Sequence, residues 1–235
     1  MGSSEHTSRQ YDAELESVRD RVLLMGELVG TQVWRAISVI GGSDRALMDR
    51  IIADDRRVNA LEVEIDEACT RIIARRQPTA GDLRMVMMII KTIADLERIG
   101  DEAKKIALTA KSLSLKKSLT LPRFEKIAHA ANLALAMLQQ SLNAFSRLDI
   151  STVAHVIHQD ELVDEEFRAI MRNLVTYMME DPRTISSALE ILFAAKSIER
   201  IGDHAKNMSE YVVYMVKGRD VRHIAVDEIE RRVRQ

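Results

Sequence analysis

Cysteine is nearly absent. Cys69 is the only one in 235 residues, so no internal disulfide can form and a reducing compartment is expected. With three prolines and nine glycines, the chain has too few breakers for a protein of many short strands. Aromatic residues make up only 4%, which also argues against sheets. No window reaches the roughly eighteen consecutive apolar residues that span a bilayer; the longest apolar run is Met85 to Ile90. The first thirty residues show no basic-then-apolar stretch with a cleavage site, so no secretory signal is expected and the cytoplasm is the expected location. Neither sign of charge dominates. A formal net charge of −2 excludes a general nucleic-acid or anionic-membrane binder, while leaving room for a local basic patch.

What the chain does have is 46% hydrophobic and 30% charged residues, rich in the Ala, Leu, Glu, Arg and Met that favour long helices. Breaks fall at Gly41-Gly42-Ser43, Gln77-Pro78-Thr79, Thr120-Leu121-Pro122, Leu148-Asp149 and Asp181-Pro182. They delimit six helical stretches, at 8–41, 44–76, 79–113, 121–147, 150–180 and 183–217.

The chain repeats itself. Leu96-Glu97-Arg98-Ile99-Gly100-Asp101 returns 102 residues later as Ile198-Glu199-Arg200-Ile201-Gly202-Asp203, and Asp55…Asn59 is answered at an offset of 105 by Asp160…Asp164. A unit of about a hundred residues is a duplicated domain, too long for a solenoid repeat. Heptad stripes run through both copies: Ile89, Leu96, Ile99, Ala103 and Ile106 in one, Ile191, Ala194, Ile198, Ile201 and Ala205 in the other. The twelve methionines read as core filler. The expected fold is all-α: two pseudo-repeated antiparallel three-helix bundles, residues 1–115 and 116–218, followed by a charged C-terminal tail, 219–235. Lys111 to Thr120 reads as the inter-bundle linker.

Acidic pairs four residues apart carry the chemistry. Asp55/Asn59, Glu97/Asp101, Asp160/Asp164 and Glu199/Asp203 each lie on one helical face, one turn apart. Pro78 marks an antiparallel turn, with Asp55 lying 23 residues before it and Asp101 lying 23 after; around Pro182 the corresponding levels agree to within about one residue, or roughly 1.5 Å. Each half then gathers oxygen ligands at one height: three carboxylates and an amide in the first, four carboxylates in the second. Such sites suit hard or borderline cations, and bridging carboxylates allow more than one ion per cluster. The expected cofactors are divalent or transition ions: Mg, Mn, Fe or Zn.

Salt bridges to Arg98, Arg200, Lys104 and Lys206 are the plain alternative. Asp160 falls in line with Val153, Val156, Val163 and Phe167, where an acid needs a partner. Gly100 and Gly202, each costing about 1 kcal/mol inside a helix, make room either for a close helix or for an ion.

An enzyme is not expected. No histidine follows a Glu at the three-residue spacing of a di-iron oxidase, and neither a G-x-x-x-x-G-K loop nor a G-x-S-x-G elbow occurs. His155 and His158 read as surface residues.

At the doubled Glu-Arg-Ile-Gly-Asp run and its paired upstream acids, the sequence resembles the PhoU family of phosphate-transport accessory proteins. The similarity covers residues 8–220 and includes Ile65-Asp66-Glu67-Ala68-Cys69 and Thr176-Tyr177-Met178-Met179-Glu180-Asp181. It implies two three-helix bundles, multinuclear metal binding, and a cytoplasmic homodimer acting peripherally with the phosphate ABC transporter and its ATPase PstB. It also implies negative regulation of the phosphate regulon through the sensor kinase PhoR when phosphate is plentiful. The metal positions it implies are Asp55, Glu97, Asp101, Asp160, Asp164, Glu199 and Asp203; Asn59 departs from the pattern and ligates with less charge. A metal-free helical adaptor that docks partners through acidic faces is the alternative.

Overall fold

The computed structural model describes residues 9–115, 125–222 and 224. They form six long helices: α1 (Arg9–Ser38), α2 (Arg45–Arg76), α3 (Ala80–Leu115), α4 (Glu125–Arg147), α5 (Val153–Glu180) and α6 (Ile185–Lys217), with a single 3₁₀ turn at Pro182–Thr184. No described residue is in a strand. Helix ends follow local chemistry. The Asp44 carboxylate accepts from the Leu47 amide at 3.0 Å to cap α2, which stops at left-handed Gln77 just before Pro78. Gly218 takes a φ of 68° to close α6, a conformation that favours glycine.

Helices α1–α3 pack as one bundle and α4–α6 as the second, and the two join through α3 against α6 and α1 against α4. The heptad stripes lie where expected, with Leu96, Ile99, Ile198 and Ile201 essentially buried. One continuous apolar cluster runs through both bundles, so each repeat completes the core of the other. Ser141, buried on α4, donates to the Ala205 carbonyl of α6 at 2.7 Å and ties two helices of the second bundle.

Helix α3 extends into the stretch read as linker, ending at Leu115; residues 116–124 and 225–235 lie outside the described part, including most of the segment read as tail. Tertiary contacts override the Ser/Lys composition. Ala110 is buried, Leu113 packs on the core, and Lys111 reaches Asp49 of α2 at 2.6 Å. The start of the tail is also anchored, by Val221 in a small cluster with Val153, Ile157 and Val213.

Duplication is visible in the packing itself. A Cβ on Gly100 would stand 3.2 Å from Gln32 Oε1 and 3.5 Å from Val58; one on Gly202 would stand 3.6 Å from Met137 and Val163. Gln32 and Met137, like Val58 and Val163, are 105 residues apart. Close packing against Gln32 therefore accounts for the room at Gly100, whereas the space beside Gly202 would admit a Cβ. Gly202→Ala meets only ordinary contacts and should stabilise the chain by about 0.5–1 kcal/mol through helix propensity. Gly100→Ala must displace Gln32, whose amide donates to the Ile51 carbonyl, so it should give no gain. Urea unfolding of the two variants measures the difference.

Candidate functional site

Helices α2 and α3 bring the first set of acids together. Asp55, 4% exposed on the inner side of α2, receives Lys104 Nζ of α3 at 2.7 Å, and the same ammonium lies 3.7 Å from Asp101. Glu97 is half-buried one turn away. Its carboxyl is pushed up by burial and then by Asp101, Glu62 and Asp55. The Lys104 ammonium is held above its usual range by its bond to Asp55.

The second repeat rebuilds this arrangement. Asp160, 7% exposed on α5, receives Lys206 Nζ of α6 at 2.6 Å, the partner that its place among apolar residues demanded. Burial raises the Asp160 carboxyl, although Lys206 offsets part of the rise. Asp203 is pushed up to about 6, first by partial burial and then by Glu199, Asp160 and Asp164, even though its side chain reaches the surface. Glu199 is bonded by Lys196 at 2.5 Å, and Asp164 by Arg168 at 3.2 Å. Lys104 and Lys206 lie 102 residues apart, so the lysine bridge is part of the duplication.

Among the described residues, no three His, Cys, Asp or Glu side chains converge as they stand on a point that could hold a metal ion. The donor set nevertheless fits one. Buried oxygens of Asp55 (Oδ1), Asn59 (Oδ1) and Glu199 (Oε2) have no hydrogen-bond partner, an arrangement that disfavours the empty state. The mutual repulsion that adds to burial in raising Glu97 and Asp203 has the same sense, since an added cation would relieve it. Of the eight predicted positions, the lysine bridges and this shared field link Asp55, Glu97 and Asp101 in one repeat and Asp160, Asp164, Glu199 and Asp203 in the other. Asn59 contributes an unpartnered oxygen alone.

Sequence reasoning missed Glu62, which continues the Asp55, Asn59 row down α2 at helical spacing and adds charge beside Glu97. That row was the available signal. The equivalent residue in the second repeat, 105 positions on, is Phe167, whose ring lies 5.3 Å from Lys196 Nζ, so the two clusters differ at this corner.

Also missed was the polar seam between repeats. On the faces of α3 and α6 turned toward each other, Asp95 accepts from His204 Nδ1 at 2.8 Å, and Glu102 is bonded by Lys105, Ser197 and Arg200. Asp95 and Ser197 are equivalent positions, as are Glu102 and His204, so these contacts are related by a pseudo-twofold axis through the α3–α6 crossing. The signal was faint. Buried acids one turn from the cluster acids look the same in sequence.

Fold and site together define a tandem-repeat, all-α protein with one lysine-bridged acidic cluster in each repeat. The profile of the PhoU domain matches residues 22–110 and again 127–212. The chain belongs to the PhoU family. It is 48% identical over 232 residues to the phosphate-specific transport system accessory protein PhoU of Escherichia coli K12, spanning 98% of this chain and 95% of that protein. The PhoU homolog of Pseudomonas aeruginosa PAO1 is 45% identical over 229 residues, 97% of this chain and 94% of the relative. In three dimensions the crystal structure of PhoU from Pseudomonas aeruginosa superposes with a TM-score of 0.86 at 44% identity, covering 89% of this chain and all of that one. The phosphate transport system regulatory protein PhoU of Streptococcus pneumoniae gives 0.81 at 27% identity, covering 90% and 99%. Among the described residues, no helix is long and apolar enough to cross a membrane.

Proposed function

We propose that this chain is a non-enzymatic accessory and regulator of the phosphate ABC transporter that holds divalent or transition metal ions in its two acidic clusters. The carrying observation is the duplicated Asp–Lys bridge, set among carboxylates that repel one another and oxygens left without partners. Asp55, Asn59, Glu97 and Asp101 would hold metal in the first repeat; Asp160, Asp164, Glu199 and Asp203 in the second. Such an ion supplies positive charge and open coordination positions able to take phosphate oxygens. The chain's own part is positional. Its acids come from two adjoining helices, so filling a cluster clamps one hairpin, while Lys104 and Lys206 neutralise the acids when it is empty. Through this clamped state the protein, working in the cytoplasm as a homodimer, would act on the transporter ATPase PstB. With the sensor kinase PhoR it would repress the phosphate regulon when phosphate is abundant.

A second reading has its own support. Lys104 and Lys206 already close both clusters, as a metal-free helical adaptor would require. Metal analysis of protein purified without chelator separates the two. The wild type should retain ions through gel filtration, and the Asp101→Asn/Asp203→Asn double variant should bind them at least about tenfold more weakly. Equally negligible metal in both proteins leaves the adaptor.

A further inference from the structure

Where the start of α3 meets the end of α6, a cavity of about 480 Å³ opens, lined by none of the eight candidate metal-ligating residues. Tyr211 and Tyr214 form one wall, Leu83 and Met87 the apolar mouth, and Arg84, Lys91 and Arg222 supply cations. From this lining we infer a binding site for a purine mononucleotide.

The pseudo-twofold axis supplies a built-in control. At the other end of the same α3–α6 seam lies a cavity of about 400 Å³ beside Leu108, Thr109 and Phe193. Equivalent positions there carry unrelated chemistry: Thr109 for Tyr211, Ser112 for Tyr214, Phe193 for Lys91 and Ser186 for Arg84. Joining the repeats therefore requires neither the tyrosines nor the cations.

Charge separates the two ends further. In the second cavity Lys105 and Arg200 close on Glu102, and Lys196 closes on Glu199. In the first, only Arg222 is neutralised, by Asp220. Arg84 and Lys91 have no carboxylate at ion-pair distance among the described residues, and Arg84 Nε is buried without a hydrogen-bond partner. Arg84, with no ion-pair partner, and Lys91, whose charge is shared with the Tyr211 ring and the field of Asp220, together match a phosphate monoester, which carries close to two negative charges at neutral pH. The Arg84 guanidinium lies against Gly218, its carbon 3.4 Å from where a Cβ there would stand.

Lys91 Nζ sits 5.6 Å from the Tyr211 ring centroid. The Tyr214 ring and the Met87 thioether, in the same lining, suit stacking by a purine. Glu210, 7% exposed, provides a polar oxygen for a ribose hydroxyl or an exocyclic amine. The volume lies within the 300–1,000 Å³ range usual for small-molecule sites.

Calorimetry on the full chain, with chelator present so that metal-bound phosphate does not contribute, tests the proposal using AMP, GMP, adenosine and inorganic phosphate. AMP or GMP should bind with a Kd below about 1 mM, at least tenfold tighter than adenosine or phosphate alone. Arg84→Met/Lys91→Met and Tyr214→Ala should each weaken that binding at least tenfold with the helical circular dichroism unchanged. Phe193→Ala, in the matching cavity, should leave it alone. The site is refuted if neither nucleotide binds up to about 5 mM, if inorganic phosphate or adenosine equals the nucleotide, or if the Arg84/Lys91 variant binds as the wild type does.

Discussion

Lys206→Met should destabilise the metal-free protein by about 2–3 kcal/mol at neutral pH, and added Mn²⁺ should restore most of that loss. Lys206 is the cation bonded to Asp160, whose side chain is only 9% exposed. Asp164, Glu199 and Asp203 surround it with like charge. Breaking such a pair leaves a buried carboxylate uncompensated, which costs about 3–5 kcal/mol when both partners are fully buried. Lys206 is 31% exposed, so the lower figure applies. The same substitution removes the internal cation that a metal ion must displace, so metal affinity at this cluster should rise at least about tenfold. Thermal melts with and without Mn²⁺, on the wild type and on Lys206→Met, read both effects. A variant that is destabilised and gains nothing from metal would identify the lysine as a purely structural counter-ion and end the metalloprotein reading for this cluster.

Phe145→Ala should lower stability by about 3–5 kcal/mol, and the whole chain should unfold in one transition. Phe145 of α4 is 1% exposed and among the largest fully buried side chains, so truncation leaves a cavity that surrounding helices only partly fill. Because one apolar cluster runs through both repeats, the loss cannot stay within the second. Trp34, the only tryptophan, is exposed on α1 of the first repeat and lines the groove between α1 and α4, so its fluorescence reads the junction of the two repeats. Its fluorescence and the circular dichroism of all six helices should shift together, by roughly 2–4 °C for each kcal/mol in a protein of this size. Two separated transitions in the circular dichroism would mean that the repeats fold as independent domains.

Both outcomes bear on how the repeats communicate. Asp95 and Glu102 face the seam from the same turns of α3 that carry Glu97 and Asp101 outward, while His204 and Arg200 do so from the turns of α6 beside Asp203 and Glu199. A shift of either helix would therefore reach the other across a bonded interface rather than through a flexible joint.

Much of this protein follows from local sequence alone. The 3.6-residue periodicity and sparse breakers dictate helices, the 102- and 105-residue offsets dictate duplication, and distances that match at Pro78 and nearly match at Pro182 bring acids on antiparallel helices to similar heights. These are properties of spacing, which a helix translates directly into position. Packing between elements decided the rest. Leu113 and Lys111 keep α3 helical through a Ser/Lys-rich stretch because they find partners on other helices, which composition cannot register. Whether Lys104 and Lys206 point into the clusters or into water depends on side-chain direction across two helices. The partner of each buried acid at the seam depends on how α3 crosses α6. That angle is set by the summed fit of many apolar side chains, so it exists only once both repeats have folded against each other.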